Sequence, residues 1–145
     1  MLVREIEDQD YDEWLRMRQA LWPQHSVSEH KEEMDEIFQN PNISVFTFAR
    51  ADGKMGGFLE AATRAYAEGC HSSPVGYIEG WYVDEDLRQK GWGAGLIRAA
   101  ENWALSRGCI EMPSDCELDN LTSSLAHSAL GYEETDRLIH FRKKL

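Results

Sequence analysis

Basic residues and long apolar runs are both scarce in this sequence. Lys and Arg number 15 against 26 Asp and Glu, which gives a net charge of −11 over 145 residues. A nucleic-acid-binding domain of this size is normally basic, so the charge disfavours that class. No apolar run approaches the roughly 20 residues that span a bilayer, and the acidic residues near the start argue against a signal sequence. We expect a soluble cytoplasmic protein without nucleic-acid or membrane partners.

Cysteine is also scarce, with three residues at positions 70, 109 and 116. Their number is odd and no two have the C-x-x-C spacing, so the sequence predicts neither a disulfide framework nor a zinc site. We expect all three to behave as small hydrophobic residues, and we predict no metal.

The sequence does contain enough apolar material for one core. Apolar residues make up 42% of it and aromatic residues 10%, including five Trp. A chain of this length is expected to form a single domain over residues 1–145. The acidic charge has two interpretations. It aids solubility only, or a cleft concentrates its field and attracts a cationic substrate.

Apolar periodicity and turn signals predict the order β, α, α, β, β, β, α, β, α, β, β. Pro23 ends the first helix and a capping box at Ser26 and Glu29 starts the second. The order fits an α/β (α+β) fold with a mixed sheet flanked by helices. The predicted strands are 2–6, 43–49, 55–66, 75–83, 111–114, 132–135 and 138–142, and the predicted helices are about 10–22, 26–40, 91–107 and 120–130.

The stretch VDEDLRQKGWGAGLI, residues 83–97, joins a strand end to a glycine-rich helix start. First-turn N–H groups lack helical partners and can hold an anion, and glycines let a phosphate approach the backbone. Arg88 and Lys90 add positive charge. The spacing matches neither the P-loop nor G-x-G-x-x-G, since Leu96 replaces the third glycine. The alternative is a turn that only permits close helix–strand contact.

Arg88-x-x-Gly91-x-Gly93 resembles the pyrophosphate-binding signature of the GNAT superfamily of acyl-CoA-dependent N-acetyltransferases. The resemblance covers roughly residues 2–145 and is sharpest between 75 and 132. It implies the GNAT fold, a central mixed, mostly antiparallel, twisted sheet flanked by helices. It also implies acetyl-CoA as cosubstrate. Three further features fit: a strand ending at Val83, Asn120 before a helix, and Gly131-Tyr132 after it.

Five short stretches together resemble the aminoglycoside 6'-N-acetyltransferases, a group of bacterial antibiotic-resistance enzymes. Each stretch is weak alone, but their joint order and spacing are specific. This resemblance implies acetyl transfer to the 6'-amino group of an aminoglycoside, antibiotic resistance and a homodimer. The stretches are Leu21-Trp22-Pro23, GCHSSPV at 69–75, Glu79-Gly80, EMPSD at 111–115 and ALGYEET at 129–135.

The superfamily resemblance places acetyl-CoA along one strand end and over the turn that follows it. The pantetheine then pairs with the strand as an added edge strand, in a slot opened where the next strand splays away. Asn120 meets the pantetheine or the thioester through its side-chain amide. The implied cofactor-binding residues are Trp81, Tyr82, Val83, Arg88, Gln89, Lys90, Gly91, Trp92, Gly93, Ala94 and Asn120.

The narrower resemblance implies five substrate-binding residues, Trp22, Tyr66, Glu79, Asp115 and Asp136, although related enzymes often carry Glu at position 136. Carboxylates attract ammonium groups, and aromatic faces accept a sugar ring or an ammonium. Each residue also has a structural interpretation. Trp22 can pack at a helix end and Tyr66 at a strand end, Asp115 can cap a loop, and Glu79 and Asp136 can simply face solvent.

The acceptor amine must lose a proton before it attacks the thioester, directly or through water. Glu79 is the first candidate base and Asp115 the second. The backbone N–H of Tyr82 or Val83 is expected to stabilise the oxyanion. His127 stands where many members carry a catalytic Tyr, so it protonates the leaving thiolate, or it packs on its helix while water does so. No cysteine is placed as a nucleophile, which predicts direct transfer in a ternary complex.

Two other functions stay open at this stage. The same chemistry can act on a polyamine, a peptide or another small cationic amine, or the chain can be a non-catalytic acyl-CoA-binding module. The predicted strand from Leu138 to Arg142 offers an edge to which a second copy of the chain can pair.

Overall fold

The computed structural model describes residues 2–145. It contains four strands and four α-helices, and short 3-10 turns precede α1 and follow β4. The elements in chain order are β1 (Val3–Glu5), α1 (Tyr11–Leu21), α2 (Val27–Gln39), β2 (Ile43–Ala49), β3 (Met55–Arg64), β4 (Val75–Val83), α3 (Trp92–Ser106) and α4 (Leu121–Ala129).

Local sequence signals explain where several of these elements begin and end. The side chain of Ser26 accepts a hydrogen bond from the Glu29 N–H, and the Glu29 carboxylate accepts one from the Ser26 N–H, so the predicted capping box starts α2. Gly53 has a φ of 86°, which suits the tight turn between β2 and β3. Gly108, with a φ of 83°, follows the last turn of α3.

The four strands form one antiparallel sheet in the order β1-β2-β3-β4. Residues 111–114 run parallel to the outer edge of β4, where Gly76 donates to the carbonyl of Glu111 and Ile78 to that of Pro113, both at 3.0 Å. The prediction of a mixed, mostly antiparallel sheet is confirmed. The predicted strand at 111–114 is reduced to a single bridge between Ile78 and Ser114, since Pro113 has no N–H to donate.

Helices cover both faces of the sheet and bury two separate apolar clusters. We call the first the α3 face and the second the α1/α2 face. The α3 face consists of Phe46, Phe48, Leu59, Ala61, Ile78, Leu96, Ile97, Ala100, Trp103, Ala104 and Cys109. The α1/α2 face contains Trp14, Met17, Met34, Val45, Met55 and Phe58.

The predicted strand pair at the carboxyl end is wrong for the chain as described. Residues 132–135 and 138–142 have no regular secondary structure, and Ile139 and Phe141 are 74% and 92% exposed. An alternating apolar segment becomes a strand only when another edge pairs with its backbone. Within residues 2–145 no other segment pairs with the backbone of these two stretches.

The cysteine prediction holds for Cys109, which is buried, whereas Cys116 is exposed and Cys70 is partly exposed. Among the described residues, no helix is both long and apolar enough to cross a membrane.

Candidate active site

The outer edge of β4 changes its partners half-way along the strand. A β-bulge opposite Glu60 shifts the register, so that Glu60 pairs with Gly80 and Ala61 with Ile78. The bridge to Ser114 at Ile78 is the last contact between β4 and residues 111–114. Beyond it no backbone hydrogen bond joins the two segments within the described residues, and the splay that the sequence analysis expected stays a prediction.

The register shows which backbone groups remain on that open edge. The Asp84 N–H bonds to Gly56 on the β3 side, whereas the carbonyl of Val83 points outward and accepts from Nε of Arg88 at 2.9 Å. Because backbone groups alternate along an antiparallel strand, Trp81 and Val83 face the open edge and Tyr82 faces β3. Of the two expected oxyanion donors, only the N–H of Val83 is available there.

The turn after β4 has an unusual backbone that ends at the first turn of α3. Gln89 and Gly91 have φ values of 58° and 86°, and Lys90 is tethered through Nζ to the carbonyl of Asp86 at 2.7 Å. No side chain caps α3, and its first backbone bond runs from Gly95 to Gly91. The N–H groups of residues 92–94 therefore point out of the helix, as an anion site requires.

Gly93 has a packing role as well. A Cβ at this position would lie 3.0 Å from Cζ2 of Trp81, so the absence of a side chain lets the helix start pack directly against the Trp81 indole on β4. The open strand edge and the free N–H groups are adjacent, and they fit a pantetheine and a pyrophosphate respectively.

Asn120 caps α4, a role that the sequence analysis did not assign. Its Oδ1 accepts from the Ser123 N–H at 3.0 Å, which occupies the oxygen of the side-chain amide. Within residues 2–145 its Nδ2 makes no hydrogen bond, so the group available to a ligand is a donor.

His127 is held on all sides. Nδ1 lies 2.7 Å from the Ser123 carbonyl, which can only accept, so Nδ1 carries the proton of the neutral ring. Nε2 lies 2.7 Å from Oγ of Ser114. The rings of Trp81 and Tyr132 meet the imidazole edge-on at 5.4 and 5.5 Å. These contacts favour the interpretation in which His127 packs on its helix.

A cleft of about 310 Å³ lies on the α1/α2 face beside the middle of β4. Two predicted substrate residues, Trp22 and Glu79, line it together. Four of its ten lining residues are carboxylates, which concentrates negative charge there. The full lining is Arg18, Trp22, His25, Glu33, Glu36, Ile37, Asn40, Ile43, Glu60 and Glu79.

The cleft floor depends on the absence of a side chain at Gly80. A Cβ there would lie 2.4 Å from Cη2 of Trp22, so the indole rests directly on the strand backbone. The bulge at residues 79–80 turns Glu79 toward the same side of the sheet. The predicted pair Glu79-Gly80 thus places a carboxylate next to an aromatic face.

Glu79 and Asp115 belong to one cluster of polar side chains. Arg64 binds Glu79 through Nε at 2.8 Å and Nη2 at 2.6 Å, and its guanidinium lies 3.7 Å from the ring centroid of Tyr77. The Tyr77 hydroxyl donates to Asp115 at 2.5 Å. Burial, and then this bond to Asp115, raises the pKa of Tyr77. Glu79 is therefore held in an ion pair with Arg64.

Tyr66 and Asp136 lie outside the cleft lining. Tyr66 is 66% exposed, and the charge of the neighbouring Glu68 raises its pKa. The Oδ1 of Asp136 accepts from the Arg137 N–H at 2.9 Å. Their segments do meet, because a Cβ at Gly69 would clash with Thr135, so the two residues lie on neighbouring loops.

Sequence reasoning missed the charged floor of the cleft. Arg18 is 1% exposed and Glu60 3%, and they form an ion pair across 42 positions of the chain. Burial raises the pKa of Glu60 despite the neighbouring guanidinium. The one available signal was Arg18 itself, which occupies a core-facing position in the apolar stripe of α1.

The arrangement of an open strand edge, a free helix start and an acidic cleft can be compared with known proteins. Residues 14–132 match the model of the Acetyltransferase (GNAT) family. The chain belongs to the GNAT acetyltransferase family. Among the described residues, no group of three or more His, Cys, Asp and Glu is arranged to hold a metal ion.

Three similar proteins are named as aminoglycoside 6'-N-acetyltransferases. The aminoglycoside N(6')-acetyltransferase type 1 of Serratia marcescens is 44% identical over 135 residues, which cover 92% of each chain. An aminoglycoside 6'-N-acetyltransferase from Acinetobacter haemolyticus superimposes with a TM-score of 0.92 at 35% identity, over 100% of this chain and 99% of the other. AAC(6')-Iy, in complex with the bisubstrate analog CoA-S-monomethyl-acetylneamine, gives 0.93 at 39% identity, over 99% and 98%.

Proposed function

We propose that this protein transfers the acetyl group of acetyl-CoA to the 6'-amino group of aminoglycosides and so confers resistance to them. One observation carries the proposal: the open outer edge of β4 and the acidic cleft meet at the same stretch of strand, residues 79–83. A thioester seated on the edge would lie next to an amine held in the cleft. The names of the similar proteins support the same activity.

Acetyl-CoA would bind through the groups described for the edge and the helix start. The Trp81 backbone pairs with the pantetheine and the N–H of Val83 faces the thioester. The N–H groups of residues 92–94 hold the pyrophosphate, and Nδ2 of Asn120 donates to the pantetheine or thioester. Arg88 has a further role here, because its bond to the Val83 carbonyl fixes the strand end. Acetyl-CoA is a cytoplasmic metabolite, so we place the reaction in the cytoplasm.

The acceptor would lie in the cleft as a polycation. Its sugar ring stacks on Trp22, and its ammonium groups pair with Glu79 and Asp115. Tyr66 and Asp136 extend the site from the two neighbouring loops. Arg64, whose side chain is 44% exposed, holds the place of a substrate ammonium on Glu79 and swings out when the substrate arrives.

Glu79 is the proposed general base, directly or through one water molecule. Displacement of Arg64 frees both carboxylate oxygens to accept the proton of the bound ammonium. Asp115 is the second candidate, because its Oδ2 already accepts a hydrogen bond from Tyr77 and so has less capacity to accept a proton. The free amine then attacks the thioester carbonyl.

The N–H of Val83 would stabilise the negative charge that develops on the carbonyl oxygen. For the departing thiolate, the contacts of His127 support proton donation by water, with the imidazole orienting Ser114. A proton from His127 itself requires Nε2 to be protonated and to release Ser114. Transfer is direct, in a ternary complex.

We also propose a homodimer. Apolar side chains at the carboxyl end are exposed, with Leu138, Ile139 and Phe141 at 48%, 74% and 92%, and a monomer rarely displays such a group. Pairing of this segment with a second copy would bury it. Light scattering on Phe141→Asp should then show a monomer where the unaltered protein is a dimer.

The test of the activity is a thiol-release assay with acetyl-CoA against aminoglycosides and polyamines. We expect turnover of aminoglycosides that carry a 6'-amino group, none of those with a 6'-hydroxyl, and a 6'-N-acetyl product by NMR. Glu79→Gln should lower kcat by about 100-fold without changing the KM for acetyl-CoA, whereas Glu117→Gln, on an exposed loop, should have no effect. Faster turnover of a polyamine would overturn the choice of acceptor. Coenzyme A binding without turnover of any amine would indicate a non-catalytic module.

A further inference from the structure

Arg18 is the buried charge that the proposed mechanism does not use. It lies on α1 and forms ion pairs with Glu60 on β3 and Glu33 on α2, so one guanidinium joins three elements under the cleft. Its Nε also donates to Nδ1 of His30 at 3.4 Å. The Glu60 side chain is 4% exposed, whereas that of Glu33 is 51% exposed.

The same guanidinium also lies against the predicted sugar platform. Its Cζ is 4.8 Å from the ring centroid of Trp22 and 5.7 Å from that of Trp14. The Trp14 ring is fixed in turn, since its Nε1 donates to Glu60 at 3.0 Å. A planar cation can bridge two carboxylates and stack on an indole at once, which the ammonium of a lysine cannot do.

Trp22 is held at three further points. Its N–H donates to the Arg18 carbonyl at 2.8 Å, and its own carbonyl lies 3.1 Å from Nε2 of His30. Its ring rests on Gly80. The backbone contacts place the residue, but they leave the indole free to rotate about its side-chain bonds. Gly80 and Phe58, whose ring centroid lies 6.2 Å from that of the indole, also contact the ring, and the Arg18 guanidinium is the charged group stacked on it.

We propose that Arg18 is a positioning residue that sets the orientation of the Trp22 indole, and thereby the affinity of the cleft for its sugar substrate. This inference rests on the proposed function for the identity of the substrate. One cation between Glu60 and Glu33 also leaves a net charge of −1 in this triad, so the floor is ordered without becoming repulsive to a cationic ligand.

The first experiment needs no substrate. Protein labelled with 5-fluorotryptophan is examined by 19F NMR, with the Trp22 signal assigned through Trp22→Phe. Arg18→Lys should shift the Trp22 signal and leave that of Trp103, on the opposite face, in place. Glu33→Gln should shift it in the same sense by a smaller amount, and this variant keeps the fully buried pair intact if Arg18→Lys fails to fold.

Glu36→Gln is the matched control, because Glu36 lines the same cleft from the same helix but makes no bond to Arg18 within the described residues. It should leave the Trp22 signal unchanged. Equal shifts from Glu33→Gln and Glu36→Gln would show a general charge effect and overturn the proposal. So would an unmoved Trp22 signal in folded Arg18→Lys.

The second experiment is a double-mutant cycle in the kinetics. Arg18→Lys should raise the KM for the aminoglycoside about tenfold, with kcat and the KM for acetyl-CoA unchanged. In a Trp22→Ala background the same change should have less than about a twofold effect. An equal effect in both backgrounds would mean that Arg18 does not act through Trp22. If Arg18→Lys shifts the Trp22 signal as expected but the wild-type protein turns over no aminoglycoside, the proposed function fails while the link between Arg18 and Trp22 stands.

Discussion

The two faces of the sheet are built on different principles. On the α3 face, buried residues such as Leu59, Leu96 and Ile97 form an apolar cluster. On the α1/α2 face, an apolar cluster of similar kind surrounds Arg18, His30 and Glu60, which are buried and bonded to one another. The first face supports the helix whose start is the proposed cofactor site. The second forms the floor of the cleft.

The difference shows how strictly each face fixes the geometry of the residues around it. Apolar contacts are tolerant of small shifts and carry stability through area alone. Buried charges stabilise only when every partner is in place, but they impose one geometry on their surroundings. A cleft that must orient a substrate ring gains from the second arrangement, and a helix that only has to stay in place needs the first.

The largest expected effect comes from breaking the charged face. Glu60→Ala leaves the buried Arg18 with one remaining carboxylate partner, the more exposed Glu33. It should lower the free energy of unfolding by about 3–5 kcal/mol. Urea denaturation followed by circular dichroism measures it. The double variant Arg18→Met/Glu60→Leu should regain most of the loss, since two apolar side chains replace the pair. A cost below about 1 kcal/mol for Glu60→Ala would mean that water from the cleft already solvates the guanidinium.

The matching change on the α3 face is Leu96→Ala. Leu96 is fully buried, so the cavity should cost about 3 kcal/mol in the same urea experiment. Leu105→Ala on the same helix is the control, because its side chain is 61% exposed and its loss should stay within about 0.5 kcal/mol. Equal costs at the two positions would show that α3 is not held by its buried stripe.

A pair of glycine substitutions should separate the two faces by their ligands. Gly80→Ala displaces Trp22 and should raise the KM for the aminoglycoside about tenfold, or ~1.4 kcal/mol, with that for acetyl-CoA unchanged. Gly93→Ala pushes the helix start away from Trp81. It should raise the KM for acetyl-CoA and leave the KM for the aminoglycoside unchanged. Each variant controls for the other in steady-state kinetics. If both raised the same constant, the two faces would not serve separate ligands.

The smallest expected effect concerns Asp10, at the start of α1. Hydrogen bonds from Arg4 hold the pKa of this carboxyl below its ordinary value of 3.8. A lowered pKa in the folded state stabilises the protein above about pH 4, and this contribution is lost as the pH falls through the folded value. Asp10→Asn should therefore cost about 1 kcal/mol at neutral pH and progressively less below pH 4. Urea midpoints from pH 7 to pH 2 test this, and a constant difference over that range would contradict it.

Local signals made much of the fold predictable. The capping box at Ser26 and the glycine at 53 act within a few residues of the chain, and the structure contains the elements that they predicted. The prediction of a strand from Leu138 to Arg142 was wrong. The alternation shows that the segment could form a strand, but it does not show whether a partner strand is available in the same chain.

The cleft was only partly predictable from the sequence. Trp22 and Glu79 were found through resemblance, but the sequence analysis gave Arg18 no role. Its partner Glu60 lies 42 positions away on β3, and sequence separation of that kind leaves no local signal. The register shift that turns Glu79 and Gly80 to one side is likewise a property of the paired strands.

We expect the bond from Arg88 to the Val83 carbonyl to limit strand addition at this edge as well. A sheet edge with a full row of open donors and acceptors invites uncontrolled strand addition and aggregation. Here the guanidinium occupies the Val83 carbonyl, the last acceptor of that row. An added polypeptide strand would therefore lose one backbone hydrogen bond. An extended ligand that needs only the N–H donors of the strand can still bind, so the edge favours such a ligand over an added polypeptide strand.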